Sequence, residues 1–358
     1  MTRLDRRRFA PSVIVLHSRR EGQSLHFAAD LRAAGVAVVD LDLRWRMLEL
    51  PRGLVRVARA VRALRPAVLH SISLHSNHLT RLGRWLLPGR MRLLAAIRTE
   101  YNAKQYFFER VEQRFADCIV TNSPDVGRKL KELCRVAPAR LHVIPNGLNL
   151  ERFSHNPDPG LRSRLAPTAC RVVAMMARVT VQKSPNLLAE AAGRLKQNGR
   201  LPADVRFWVV GEREADGMQE KFEAALVRAG VEDQFLQLPQ TPQPEAFYHA
   251  ADFTVLPSLW EGLPNAAIES FAAGKPVLLS EAANAAGVVT EGRTGWVCRT
   301  NDASHLAERL GEVLALSPDR LTAMAPACRA RAADFSMERM VARYEELYDA
   351  ELARLRAR

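Results

Sequence analysis

No stretch of this 358-residue sequence approaches the roughly 18 uncharged apolar residues that a membrane-spanning helix needs. Its opening, from Met1 through Arg3, Arg6, Arg7 and Arg8 to Phe9, has no apolar segment of the secretory-leader kind, so a cytoplasmic protein is expected. Aromatic residues make up only 6% of the chain and do not interleave with basic ones as in a nucleic-acid stacking platform. No nucleic-acid-binding module is recognisable either, and nucleic acid is not an expected partner. Cysteine is sparse. Cys118, Cys134, Cys170, Cys298 and Cys328 are odd in number and widely spaced, with no C-x-x-C pair and no Cys/His group at metal-ligand spacing. They read as reduced, mostly buried thiols without a structural zinc. His70, His75 and His78 are irregularly spaced with no carboxylate in the same segment, and they read as polar site-lining residues rather than metal ligands.

What remains is ordinary globular material, 47% hydrophobic and 25% charged, enough for two domains of about 150 to 200 residues. The net charge of +13 is unevenly spread: residues 1–150 hold 27 Lys+Arg against 12 Asp+Glu, and the remainder 25 against 27. Such asymmetry fits a first half that meets an anionic surface, phospholipid or nucleic acid; an arginine-rich, solvated surface is the plainer explanation beside it. The stretch 44–65 combines arginines with an apolar stripe, a pattern commoner in a core-facing helix than at a membrane.

Short apolar runs alternate with helix-like segments along the chain, which predicts parallel sheets flanked by helices. Strands are expected at 13–16, 36–41, 67–72, 93–97, 118–121 and 141–144, then at 172–176, 205–210, 235–238, 253–256, 276–279 and 295–298. The turn-rich residues 155–160 and 166–168 suit a hinge. The domains are therefore expected at 1–160 and 161–335, with a final helix over 336–358.

The most informative segment runs from Leu256 through Glu261, Gly262, Leu263, Pro264 and Asn265 to Glu269. A strand ends, a tight loop follows, and Asn265 opens a helix whose first-turn N–H groups favour a phosphate. Glu261 precedes that helix and Glu269 lies one turn inside it, so one carboxylate can meet a sugar and the other a ribose, each accepting from hydroxyls. For two isolated glutamates, a loop charge and a solvated helix face would be the default; the strand-loop-helix setting argues otherwise.

This segment resembles the E-x7-E signature of the group 1 retaining glycosyltransferases. Further resemblances follow in order: Arg178 and Lys183 match a G-R-x-x-x-x-K-G element, residues 143–153 with Asn146 and Phe153 a junction motif, and Phe335 and Ser336, with Tyr344 and Tyr348 beyond them, a C-terminal helix. The resemblance implies the GT-B architecture, two facing Rossmann-like α/β domains with a C-terminal helix crossing back to the first. It implies a nucleotide-diphosphate sugar donor on the second domain, with Arg178, Lys183 and Glu261 catalytic and Gly211, Gly262, Leu263, Asn265 and Glu269 donor-binding. Two fixed cations would stabilise leaving-group charge, so neither metal nor other cofactor is expected. A glycan or lipid-linked acceptor would meet the basic first domain, near Arg98 and Asn146, with peripheral contact to an anionic membrane.

The sequence also departs from the family pattern. Ala177 and Ser184 stand at usual glycines, Asn149 at a common aspartate, and Glu212 follows Gly211 in a V-G-x-G loop lacking its second glycine. Arg98 falls where a histidine is frequent, and a salt bridge to Glu100 is its alternative role. The resemblance further implies that the first β-α unit with its Gly-Gly loop is missing, so that 13–16 would be the family's second strand; alternatively 13–16 is the first strand, paired on both sides, with Gly22 in a modified phosphate loop. An epimerase or hydrolase on the same scaffold, and a catalytically silent binder of anionic glycan or nucleic acid, are the competing functions.

Overall fold

A computed structural model of the chain describes residues 1–16, 24–43, 50–167 and 171–357. Cys170, Gly22 and the start of the amphipathic stretch, 44–49, lie outside the described residues. The strands are β1 Ser12–Val15, β2 Ala37–Asp40, β3 Val68–Ser71, β4 Arg92–Ile97, β5 Cys118–Thr121, β6 Leu141–Val143, β7 Arg171–Met176, β8 Val205–Val210, β9 Phe235–Leu238, β10 Phe253–Leu256, β11 Val277–Ser280 and β12 Gly295–Cys298. Each expected strand is present, with ends shifted by a residue or so, and every ladder is parallel.

The chain divides into two compact units, Met1–Pro145 with Met340–Arg358, and Asn146–Arg339. The division falls ahead of the turn-rich residues near 160 because the intervening segment is anchored in the second unit. Leu148 N donates to Phe335 O at 2.8 Å, Met337 N donates to Leu148 O at 2.9 Å, and the buried Phe153 ring meets Tyr248 edge-on. Two of the motifs named above, far apart in the chain, thus pair side by side.

In the second unit the six strands run β9-β8-β7-β10-β11-β12. Numbered within the unit, that is 3-2-1-4-5-6, the doubly wound dinucleotide-binding order. A parallel sheet covered on both faces needs apolar residues at successive positions. Strand β7 accordingly sends Val173 and Met175 into one cluster and Val172 and Ala174 into the other, and β8 divides Phe207 and Val209 from Trp208 and Val210.

The first unit holds a sheet ordered β3-β4-β5-β6 and a separate ladder, β1-β2. Among the described residues no ladder joins β1 to β3, so the arrangement with β1 paired on both sides is not the one observed. Ile14, Val39 and Leu69 instead share a cluster with Val57, Ala58 and Val61 of the helix Leu50–Leu64. The apolar face of that helix is core. The last helix, Met337–Arg356, begins in the second unit and ends in the first, where Leu347 joins Leu94, Cys118 and Val120. Glu351, fully buried there, accepts from Arg92 Nε at 2.6 Å.

Candidate functional site

Strands β7 and β10 are neighbours, and between them the strand order reverses. Open α/β sheets bind ligands at such a switch point, beyond the carboxyl ends of their strands. The loop after β7 carries Arg178 and Lys183, and the loop after β10 carries Glu261. Lys183 Nζ is ion-paired with Glu261 Oε1, and both side chains are largely buried. The two loops are also tied through their backbones: Leu259 N donates to Gln182 O at 2.8 Å, and Gln182 Nε2 donates to Trp260 O at 2.8 Å.

Ser184 shows why a glycine is usual after that lysine. Its backbone is left-handed, φ 49° and ψ 56°, as the chain turns into the helix Pro185–Gln197. A side chain there meets steric strain that glycine escapes, and Ser184 Oγ compensates by donating to Val181 O at 2.8 Å. Gly211 has a comparable backbone reason, since a Cβ at this position would run into the carbonyl of Ala177. The loops after β7 and β8 are thereby in close contact.

Asn265 opens the helix Asn265–Ala272, whose N-terminus has no side-chain cap. Asn146 Nδ2 donates to Asn265 Oδ1 at 2.9 Å, so Asn146 stands beside a residue assigned to the donor. Glu269, one turn on, is not a solvated helix face: Tyr248 OH donates to its Oε2 at 2.8 Å. Burial pushes the Glu269 carboxyl above the usual range against the lowering effect of that bond. Gly262 and Leu263 are buried in the same loop. Arg178 is half-exposed and pairs with Glu214. Sequence reasoning missed Tyr248 and Glu214, since nothing in the chain near either residue marks its distant partner. A polar concavity of about 720 Å³, lined by Glu190, Arg194, Glu281, Arg299 and Asp302 among others, contains none of these residues.

In the first unit Arg98 follows β4. Glu100 pairs with Lys129. His70, at the end of β3, meets Tyr348 OH through Nδ1 at 3.0 Å and lies against the Tyr344 ring. Burial, and then the nearby Arg98 charge, lower its pKa to about 4. His78 Nδ1 meets Glu112 at 2.6 Å. Cys118, Cys134, Cys298 and Cys328 are free and buried. Folding does gather Cys118, His142 and Glu351, whose ligand atoms lie within 4.8 Å of one another. Here the Glu351 carboxylate already accepts from Arg92 and Arg354, and burial pushes the Cys118 thiol up to about 12. As built, the trio belongs to an arginine–glutamate network.

A 3-2-1-4-5-6 parallel sheet in the second unit, a second parallel-sheet unit and a shared terminal helix define an α/β protein of the GT-B class. Residues 162–330 match the family model described as glycosyl transferases group 1, and residues 1–152 that of glycosyltransferase family 4. The chain belongs to the group 1 glycosyltransferases. It is 32% identical over 246 residues to the D-inositol 3-phosphate glycosyltransferase of Thermobispora bispora, covering 67% of this chain and 57% of that protein. The chain spans little more than half the length of the curated relatives it matches. Among solved structures, Anabaena HepE in complex with UDP and glucose superposes with a TM-score of 0.81 at 15% identity, over 96% of this chain and all of that one. Sucrose-phosphate synthase from Thermosynechococcus elongatus gives 0.77 at 18%, over 96% and 100%. No helix among the described residues is long and apolar enough to cross a membrane.

Proposed function

We propose that the protein transfers a hexosyl group from a nucleotide-diphosphate sugar to a lipid-linked or cell-envelope glycan, with retention of configuration, at the cytoplasmic face of the membrane. The observation that carries this reading is the Lys183–Glu261 pair at the sheet's switch point, one loop from the open start of the Asn265 helix. A cation held by a carboxylate is preorganised for a diphosphate, and the helix N-terminus adds oriented N–H groups. Arg178, half-exposed and paired with Glu214, would exchange that carboxylate for the leaving phosphate. Glu269 would accept from the ribose hydroxyls, and Glu261 from the sugar. Arg178, Lys183 and the N–H groups that open the Asn265 helix would offset the diphosphate charge without a metal. The leaving phosphate oxygen takes the acceptor's proton on the face from which it departs, so no protein nucleophile is assigned.

Support for the donor class comes from the UDP and glucose bound by HepE, and support for a phosphorylated polyol within the acceptor from the D-inositol 3-phosphate glycosyltransferases. The test is nucleotide release from a panel of nucleotide sugars, with and without lipid extract, together with thermal shift in UDP, GDP and ADP. Transfer is expected from at least one donor, and stabilisation by its nucleotide. No release and no stabilisation with any of them would sink the reading in favour of a silent binder.

A further inference from the structure

The helix Ala103–Glu112 is built inside out. Its N-terminus is fixed by a reciprocal cap, Gln105 N donating to Asn102 Oδ1 and Asn102 N to Gln105 Oε1, both at 2.9 Å. Its inward face sets polar groups beside the buried ring of Tyr106. Buried Arg81 grips Glu109 with two bonds of 2.6 and 2.9 Å, His78 meets Glu112, and Gln113 is buried one position beyond the helix. Its outward face is apolar, with Phe107 67% exposed, Phe108 47%, Val111 55% and, on the next turn, Phe115 47%. These positions, i, i+1, i+4 and i+8, line one side of a helix. The turn Arg84–Leu86, tied to the end of this segment by Arg84–Asp117 at 3.6 Å, adds Trp85, 78% exposed.

Charge tells which partner this face suits. Both acids of the helix, Glu109 and Glu112, are turned inward into ion pairs. The exposed charges beside the stripe are Lys104, Arg110 and Arg114, all cationic. A symmetric contact with a second copy would bring those like charges together, at a cost. An anionic lipid surface takes both halves of the pattern: aromatic rings enter the interface and the cations meet headgroups. We propose that the outward face of this helix, with the turn at Trp85, docks the protein on an anionic bilayer. The inference deepens the proposed lipid-linked acceptor by naming the surface that reaches the membrane, and its use rests on that reading.

The full chain would be floated with vesicles of phosphatidylcholine, with and without phosphatidylglycerol. Wild type is expected to float with the anionic vesicles alone, and to be released by salt. Phe107→Ser/Phe108→Ser/Phe115→Ser should reduce the bound fraction at least about tenfold, since three aromatic rings would no longer enter the interface. An independent charge variant, Lys104→Glu/Arg110→Glu/Arg114→Glu, should do the same; thermal midpoints of both should match wild type, because none of these side chains is in the core. Wild type that fails to float, either folded variant floating like wild type, or a wild-type dimer that the serine variant turns into a monomer without any vesicle binding would overturn the proposal. Sugar transfer to a water-soluble acceptor, read as nucleotide released on the same preparations, is independent of the stripe. Its failure with flotation intact would remove the transferase reading and leave the docking surface standing.

Discussion

Single residues decide whether the candidate site is charged in the right places. Lys183 and Glu261 are mostly buried, so Lys183→Ala leaves a carboxylate without its cation and should cost roughly 3 kcal/mol in urea unfolding. Lys183→Met/Glu261→Met should regain most of that stability while still failing to respond to any nucleotide in thermal shift. If the double variant stays as unstable as the single one, the pair is not the reason for the loss. Tyr248→Phe tests a residue that is legible only in three dimensions. It removes the hydroxyl that donates to Glu269 and should destabilise by about 2 kcal/mol, as for hydrogen bonds to charged groups. Donor KM should rise more than kcat falls, because Glu269 would lose its fixed position; an unchanged KM would argue that Glu269 does not touch the donor.

At the scale of elements, the turn after Lys183 and the contact of the last helix with the end of β3 can each be tested at one side chain. Ser184→Gly relieves left-handed strain but loses the bond to Val181 O, two effects of about 1 kcal/mol that oppose each other. Ser184→Ala keeps the strain and loses the bond, and should be the less stable by about 1 kcal/mol in thermal or urea unfolding. Equal stabilities would refute the backbone explanation. His70, against Tyr344 and Tyr348 of the last helix and near Arg98, has its pKa lowered from 6.5 to about 4. Between those values the unfolded chain binds a proton that the folded chain refuses. Stability is therefore whole above pH 6.5 and is lost as pH falls toward 4, by up to about 3 kcal/mol. His70→Gln should flatten that part of the pH profile in urea titrations; a profile unchanged from wild type would place the acid sensitivity elsewhere.

Across the whole molecule the charge is segregated by unit, with the excess of Lys and Arg in residues 1–150. The residues proposed to hold the donor all lie within Asn146–Arg339. Hydrogen exchange with and without the stabilising nucleotide should therefore show protection at 177–184, 211–214 and 259–269, and none in β3 to β6. Protection centred on the first unit would move the donor site there. Disturbing the buried Arg92–Glu351 pair, by Arg92→Met, should loosen the first unit by about 3 kcal/mol and leave nucleotide protection of the second intact.

The sequence by itself determined the strands, because runs such as 172–176 and 207–210 must be apolar at successive positions to be covered on both faces. It also determined the positions of Lys183, Glu261 and Glu269, since a loop-to-helix transition after a buried strand is written in consecutive residues. Tertiary structure alone decided what those residues touch. Tyr248 reaches Glu269 from another helix, Glu214 meets Arg178 from the loop after β8, and Asn146 joins Asn265 across more than a hundred residues. It also decided that Glu109 and Glu112 face inward while Phe107 and Phe108 face water. Helical spacing fixes which residues share a face. Which face is buried depends on what the rest of the chain brings against it, here the guanidinium of Arg81 and the imidazole of His78.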